Sequence, residues 1–245
     1  MPRLRPLRAS PMLTGEMRAA EPDMRWVADR LRERFGDVSL SRSDPVETLV
    51  ETILSQNTND VNRDRAYSAL LDRFGTLERV AEATPAEIAK AIQVGGLQRE
   101  KSERIKAVLA RIFAEREELD LSFLGDLPLH EALAWLLASP GVGKKTAGIV
   151  LLFSFGRPYF PADTHVKRVL TRFGLLQGRG DPHDRLNALL PKDAPFLRRL
   201  HLHLIRLGRD TCHPREPECE NCPLEARCER VGVLAPVAIG GRERR

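Results

Sequence analysis

The 245-residue sequence predicts an all-α fold, and three observations predict it. Apolar residues recur at three- and four-residue intervals along most of the chain. Capping residues open those stretches, and glycines follow them. No segment shows the sustained alternation of apolar and polar residues that a half-buried strand requires.

Val27, Leu31 and Phe35 mark the first helix, closed by Gly36. Asp44-Pro45-Val46-Glu47 puts Asp at an N-cap, Pro at the first helical position and Glu at the third. Val46, Leu49, Val50, Ile53 and Leu54 form the apolar face behind that cap. Leu70, Leu71 and Phe74 give the next helix, closed by Gly75. Thr84-Pro85-Ala86-Glu87 repeats the cap ahead of Ile88 and Ile92, and Gly95-Gly96 stops that helix. Ile105, Val108, Leu109 and Ile112 mark another, as do Leu129, Leu133, Leu136 and Leu137. The stretch TAGIVLLFSFG, from Thr146, also reads as helix. Val166, Val169, Leu170 and Phe173 follow on a helix ending at Gly174. Asp181-Pro182 opens the next. Phe196, Leu197, Leu200, Leu204 and Leu207 define a long last helix, closed by Gly208.

Composition bounds the function. Forty-two per cent hydrophobic and 30% charged residues suit a soluble globular chain of one or two domains. A net charge of +5 is compatible with a polyanionic partner. Aromatic content of 5% is too low for a row of stacking platforms for single-stranded nucleic acid. No apolar run reaches membrane-spanning length. The N-terminal MPRLRPLRASPML lacks a signal-peptide core. It reads as a flexible basic arm over residues 1–20, with an organelle transit sequence as the alternative. The expected compartment is therefore reducing and cytoplasmic, which disfavours disulfides.

Two stretches carry chemistry. Ser139-Pro140-Gly141-Val142-Gly143-Lys144-Lys145 joins two helices through a very short turn. Gly141 and Gly143 expose backbone N–H groups that suit a phosphate, and Lys144 supplies a second contact. Two lysines at a helix N-terminus oppose its dipole, so their placement calls for a reason. The second stretch holds the four cysteines, Cys212, Cys219, Cys222 and Cys228, spaced C-x6-C-x2-C-x5-C. Its physical chemistry leaves a zinc site and an iron–sulfur cluster both open.

The string Pro-Gly-Val-Gly-Lys-Lys-Thr-Ala resembles the helix–hairpin–helix of DNA glycosylases of the endonuclease III family. The resemblance runs from about Asp23 to Cys228 and makes Lys145 the catalytic lysine. Eighteen residues on, Asp163-Thr164-His165 matches the family's essential aspartate, although Asp163 also suits an N-cap. His165 is read as structural or orienting. A Schiff base with C1′ of a sugar needs a neutral amine. A helix N-terminus, the like charge of Lys144 and burial all favour that form. The cysteine spacing is that of the family's [4Fe–4S] loop, whose DNA contact falls on Arg215, with Glu216 where a basic residue is common. The family fills the gap left by a flipped base from two loops. Leu97 maps cleanly onto one, with a core position as its alternative. The other falls on Asn57, with Gln56 one before it; helix C-capping is the alternative for both.

The resemblance implies two helical lobes with a DNA-binding cleft between them. Residues 39–157 form a six-helix lobe carrying the hairpin, and residues 21–38 plus 158–232 form the cluster lobe, with a flexible tail at 233–245. It implies a monomeric, bifunctional glycosylase and abasic-site lyase acting on oxidised pyrimidines in double-stranded DNA. A monofunctional adenine or thymine mismatch glycosylase and a non-catalytic DNA-binding protein are the alternatives.

Overall fold

The structure is a computed structural model, and it describes residues 12–233. Eleven α-helices and several short turns occur among them, with no strand. The expected arm lies outside the described residues up to residue 11, and the chain is helical from Met12. The first helix, α1, spans Met12–Phe35, because Glu16-Met17-Arg18-Ala19-Ala20-Glu21 are all good helix formers. From residue 234 the expected tail lies outside the described residues.

The hairpin lobe follows without interruption. Helix α2, Pro45–Leu54, starts where Asp44 accepts hydrogen bonds from the Val46 and Glu47 N–H groups, both at 2.9 Å. Helix α3, Asp60–Phe74, is capped by Asn59 and closed by Gly75 at φ 82°. Helix α4, Leu77–Glu82, is short and was not expected from the sequence. Its single turn and a half offers just Leu77 and Val80 as buried apolar positions, too few for a periodic signal. Helix α5, Pro85–Ala91, opens on the full capping box of Thr84 and Glu87. Helices α6, Gln98–Arg116, and α7, Leu129–Leu137, complete the lobe with α8, Lys144–Ile149. One core joins them, built from Leu49, Ile53, Leu70, Ile88, Ile105, Leu109, Leu136 and Val150. Full burial of each such side chain stabilises the fold by roughly 1.5–3 kcal/mol.

The second core is discontinuous in sequence. Met24, Val27 and Leu31 of α1 pack with α9, Thr164–Phe173, α10, Pro182–Leu189, and α11, Ala194–Asp210. His203 reaches back to the Gly36 carbonyl at 3.0 Å, joining α11 to the end of α1. The predicted stop at Gly208 does not occur: α11 continues to Asp210. Gly208 instead lets α9 cross closely, since a Cβ there would stand 2.8 Å from His165 Cβ.

The lobes meet at a π-helical turn. The helix expected through TAGIVLLFSFG is regular only to Ile149, and Val150–Ser154 widens into π geometry. Val150 and Leu151 enter the hairpin core while Leu152 enters the other. The wider turn allows consecutive residues to serve both cores, and such turns cluster at functional sites.

Candidate active site and nucleic-acid interface

The hairpin forms because Ser139 O accepts the Val142 N–H at 3.1 Å, reversing the chain in four residues. Of the two glycines, Gly141 alone uses the left-handed region, at φ 78°. It also lies on the Arg104 side chain, where a Cβ would be 2.3 Å from Cδ. Gly143 is extended, at φ −94° and ψ 178°, with open space where a Cβ would project. Its value is access to the backbone N–H groups that begin α8.

The two lysines behind this turn point to different partners. Lys144 Nζ lies 2.6 Å from Asp184 and 3.3 Å from Asp181, both at the start of α10 in the other lobe. The hydrogen bond to Asp184 raises its pKa above the ordinary lysine value. Lys145 is half-buried, its Nζ 3.5 Å from Ser55 Oγ. The Ser55 hydroxyl donates to Thr52 O at 2.8 Å, which turns its oxygen lone pairs to the amine. Burial pushes the Lys145 pKa below the ordinary lysine value. Arg63 pushes the same way, against Asp163 and Asp60.

Asp163 comes from the second lobe. It caps α9, Oδ1 accepting the Val166 N–H at 2.7 Å, and Oδ2 has no hydrogen bond among the described residues. Asp163 is thus a cap that also faces the Lys145 charge. His201, 2% exposed, lies edge-on to Phe153 and Phe160 with ring centroids 5.5 and 5.7 Å away. Burial pushes its pKa down to about 4, partly offset by the Asp163 carboxylate. His165 packs on Gly208, and its Nδ1 lies 3.1 Å from Arg168.

The loop after α2 and the loop before α6 face outward near the hairpin. Gln56 is anchored: Nε2 donates to Gly141 O at 3.1 Å, and Oε1 accepts from Arg104. Asn57 is exposed, at φ 52°; the α2 C-cap is Ser55. Leu97 is 44% exposed at φ 48°, so it is not a core residue. Non-glycine residues at positive φ are uncommon, and two of them stand at these two tips.

The four cysteines form no disulfide and line one pocket with Arg172 and Arg230. Arg172 donates to Cys212 Sγ at 3.3 Å and to the His213 carbonyl at 2.6 Å. Burial pushes the Cys222 pKa up to about 11 and raises that of Cys228. Among the described residues no three His, Cys, Asp or Glu side chains converge as ligands of one metal ion would. Arg215 and Glu216 are exposed between the first two cysteines.

Sequence reading did not find Ser55, Asp181, Asp184, Lys101, Arg104 or His201. The contact of Ser55 with Lys145 spans 90 residues and leaves no local pattern. The same is true of the Lys144 ion pairs, 37 and 40 residues away.

The sequence profile of the HhH-GPD superfamily base excision DNA repair proteins matches residues 50–192. Endonuclease III of Thermotoga maritima is 35% identical over 189 residues, covering 76% of this chain and 84% of that protein. Endonuclease III of Escherichia coli K12 is 33% identical over 205 residues, covering 83% and 93%. A solved non-covalent complex of endonuclease III with DNA superposes with a TM-score of 0.70 at 26% identity, covering 86% of this chain and 95% of that one. With matches over most of its length, the chain belongs to the HhH-GPD superfamily of base excision DNA repair proteins and, within it, to the endonuclease III family.

Proposed function

We propose that the protein is a bifunctional DNA glycosylase and abasic-site lyase that removes oxidised pyrimidines from double-stranded DNA. The observation that carries this reading is the half-buried Lys145 amine, held by Ser55 and set against Asp163 from the facing lobe. Burial makes the ammonium form costly, so a nucleophilic neutral amine is within reach.

In this reading the hairpin N–H groups seat a phosphate while the damaged nucleotide leaves the stack. Asn57 and Leu97, at the exposed loop tips, fill the gap; Gln56 is committed to the hairpin and supports it. The Lys145 nitrogen forms a bond to C1′ as the glycosidic bond breaks, and the base leaves with that electron pair. Asp163 accepts the proton from the lysine and stabilises the positive charge on the sugar. Opening of the sugar ring gives the Schiff base. Loss of a C2′ proton then expels the 3′ phosphate, and water releases the enzyme.

The cysteine pocket fits a [4Fe–4S] cluster held by Cys212, Cys219, Cys222 and Cys228. The four cysteine sulfurs share one pocket, and their C-x6-C-x2-C-x5-C spacing resembles that of the family's cluster loop. Arg172 beside Cys212 suits thiolate ligands. When bound, the cluster supplies structure: it fixes the loop that presents Arg215 to DNA. No chemical step passes through it.

The test is borohydride trapping. Wild-type protein mixed with an abasic duplex is expected to yield a covalent adduct, and Lys145→Gln to bind the same duplex without one. A normal adduct from Lys145→Gln overturns the assignment and makes Lys144 the next nucleophile to examine.

A further inference from the structure

Lys101 is 1% exposed, and burial pushes its pKa below the ordinary lysine value, with Arg104 adding to the shift. Its hydrogen bonds go to carbonyls. Nζ donates to Leu54 O and Gly95 O, each at 2.7 Å. Leu54 is the last residue of α2, and Gly95 ends the 3-10 turn Gln93–Gly95. Carbonyls at helical C-termini carry partial negative charge, so two such ends can hold a buried cation. The Lys101 backbone N–H donates in addition to Leu97 O at 3.0 Å. One residue therefore grips the end of α2, the turn before Leu97 and Leu97 itself.

What these grips support is the pair of left-handed tips. Asn57 is three residues beyond Leu54, and Leu97 two beyond Gly95. Leu97 enters α6 with no side-chain cap of its own. Unfavourable backbone conformations persist where the surroundings over-determine them. Arg104, one turn along α6, adds a second tie through Gln56 and Gly141.

We propose that Lys101 is a positioning residue for base extrusion: its buried Nζ ties the α2 end to the turn before Leu97, so that Asn57 and Leu97 enter the duplex at a fixed separation. This rests on the wedge roles assigned to Asn57 and Leu97 above. Lys101 touches neither the sugar nor the base, and the chemistry of Lys145 does not pass through it. Its loss must therefore tell on substrates that need the stack opened and filled, and far less on those that do not.

The experiment compares Lys101→Met with wild type on three substrates: a duplex with one oxidised pyrimidine, the same lesion in an unpaired bubble, and an abasic duplex trapped with borohydride. Base release from the duplex is expected to fall ~10–100-fold, the scale of a 1 Å misplacement. Bubble release and trapping are expected to stay within ~3-fold. Adding Lys101→Met to Leu97→Ala should cost less than the product of the two single effects, as it must for residues acting through one another. Equal losses on all three substrates, or no loss on any, overturn the proposal. Leu97→Ala and Asn57→Ala separate it from the reading beneath it. If they leave duplex release intact, the wedge roles fail. If they slow it while Lys101→Met does not, only the tie fails. Should Lys101→Met not fold, Lys101→Gln, which retains two N–H donors, is read on the same substrates with the same criteria.

Discussion

At the scale of single residues, Lys145, the proposed nucleophile, sits where burial disfavours its charged form. Burial lowers its pKa, so between that lowered value and 10.5 the unfolded chain binds more protons than the folded one. Stability therefore rises with pH across that window, and below it the penalty is fully present. Lys145→Gln is expected to raise the thermal midpoint at neutral pH by roughly 2–4 °C, the shift that ~1 kcal/mol produces in a chain of this size. Calorimetry checks this, and an unchanged or lower midpoint would mean that Ser55 and Asp163 outweigh burial. Asp163 carries two roles that substitution can separate. Asp163→Asn keeps the α9 cap and should retain binding while losing most of the turnover. Asp163→Ala should in addition lower the midpoint, with about 1 kcal/mol lost for the missing cap. Near-normal turnover by Asp163→Asn would leave the residue a cap alone. His201 sets an acid limit. With its pKa at about 4 in the folded state and near 6.5 unfolded, it removes stability as pH falls through that interval. His201→Asn should flatten the pH dependence of the melting midpoint there.

At the scale of elements, the caps and apolar faces that define most helices are local features, and they were legible. Asp44, Thr84 and Asp181 each bond the N–H groups their position implies. Helix α4 was not legible because one turn and a half shows no period. Gly208 was misread because a glycine at a helix crossing looks the same in sequence as a glycine at a helix end. The π turn was hidden for a related reason: its residues are apolar on every side, serving two cores at once. Lys145 and Asp163 were singled out through motif resemblance, and the structure brings Asp163 near enough to act on the Lys145 charge. The carboxylates facing Lys144 were not singled out, because they come from α10 in the other lobe. That ion pair makes a prediction about the hairpin. Asp184→Asn frees Lys144 from its 2.6 Å partner and should tighten binding to undamaged duplex. Lys144→Ala should weaken it and reduce the salt slope by about one unit. Titrations of binding against salt concentration decide the matter, and identical slopes for wild type and Lys144→Ala would remove the lysine from the phosphate contacts.

At the scale of the whole molecule, the proposed site lies where two lobes meet: Lys145 stands in the first turn of α8 in one, and Asp163 caps α9 in the other. Ion pairs cross the gap on both sides, Arg209 with Asp60 at 2.6 Å and Lys144 with Asp184. These are surface pairs, each worth about 0–1 kcal/mol, so the π turn and the shared packing hold the lobes more than they do. The discontinuous core also has a consequence for biosynthesis. Helix α1 emerges from the ribosome before the hairpin lobe, and the α11 residues it packs against emerge after that lobe. At ~5–20 residues per second, roughly ten to thirty seconds separate Leu31 from Leu200. Until Leu152 is made, Met24, Val27 and Leu31 have no later partners of their own core, while the hairpin lobe, encoded without interruption, has all of its residues available by the time Tyr159 is made. The nascent chain thus holds Lys145 before it holds Asp163, and a chain abandoned midway carries the hairpin without the facing lobe that completes the cleft.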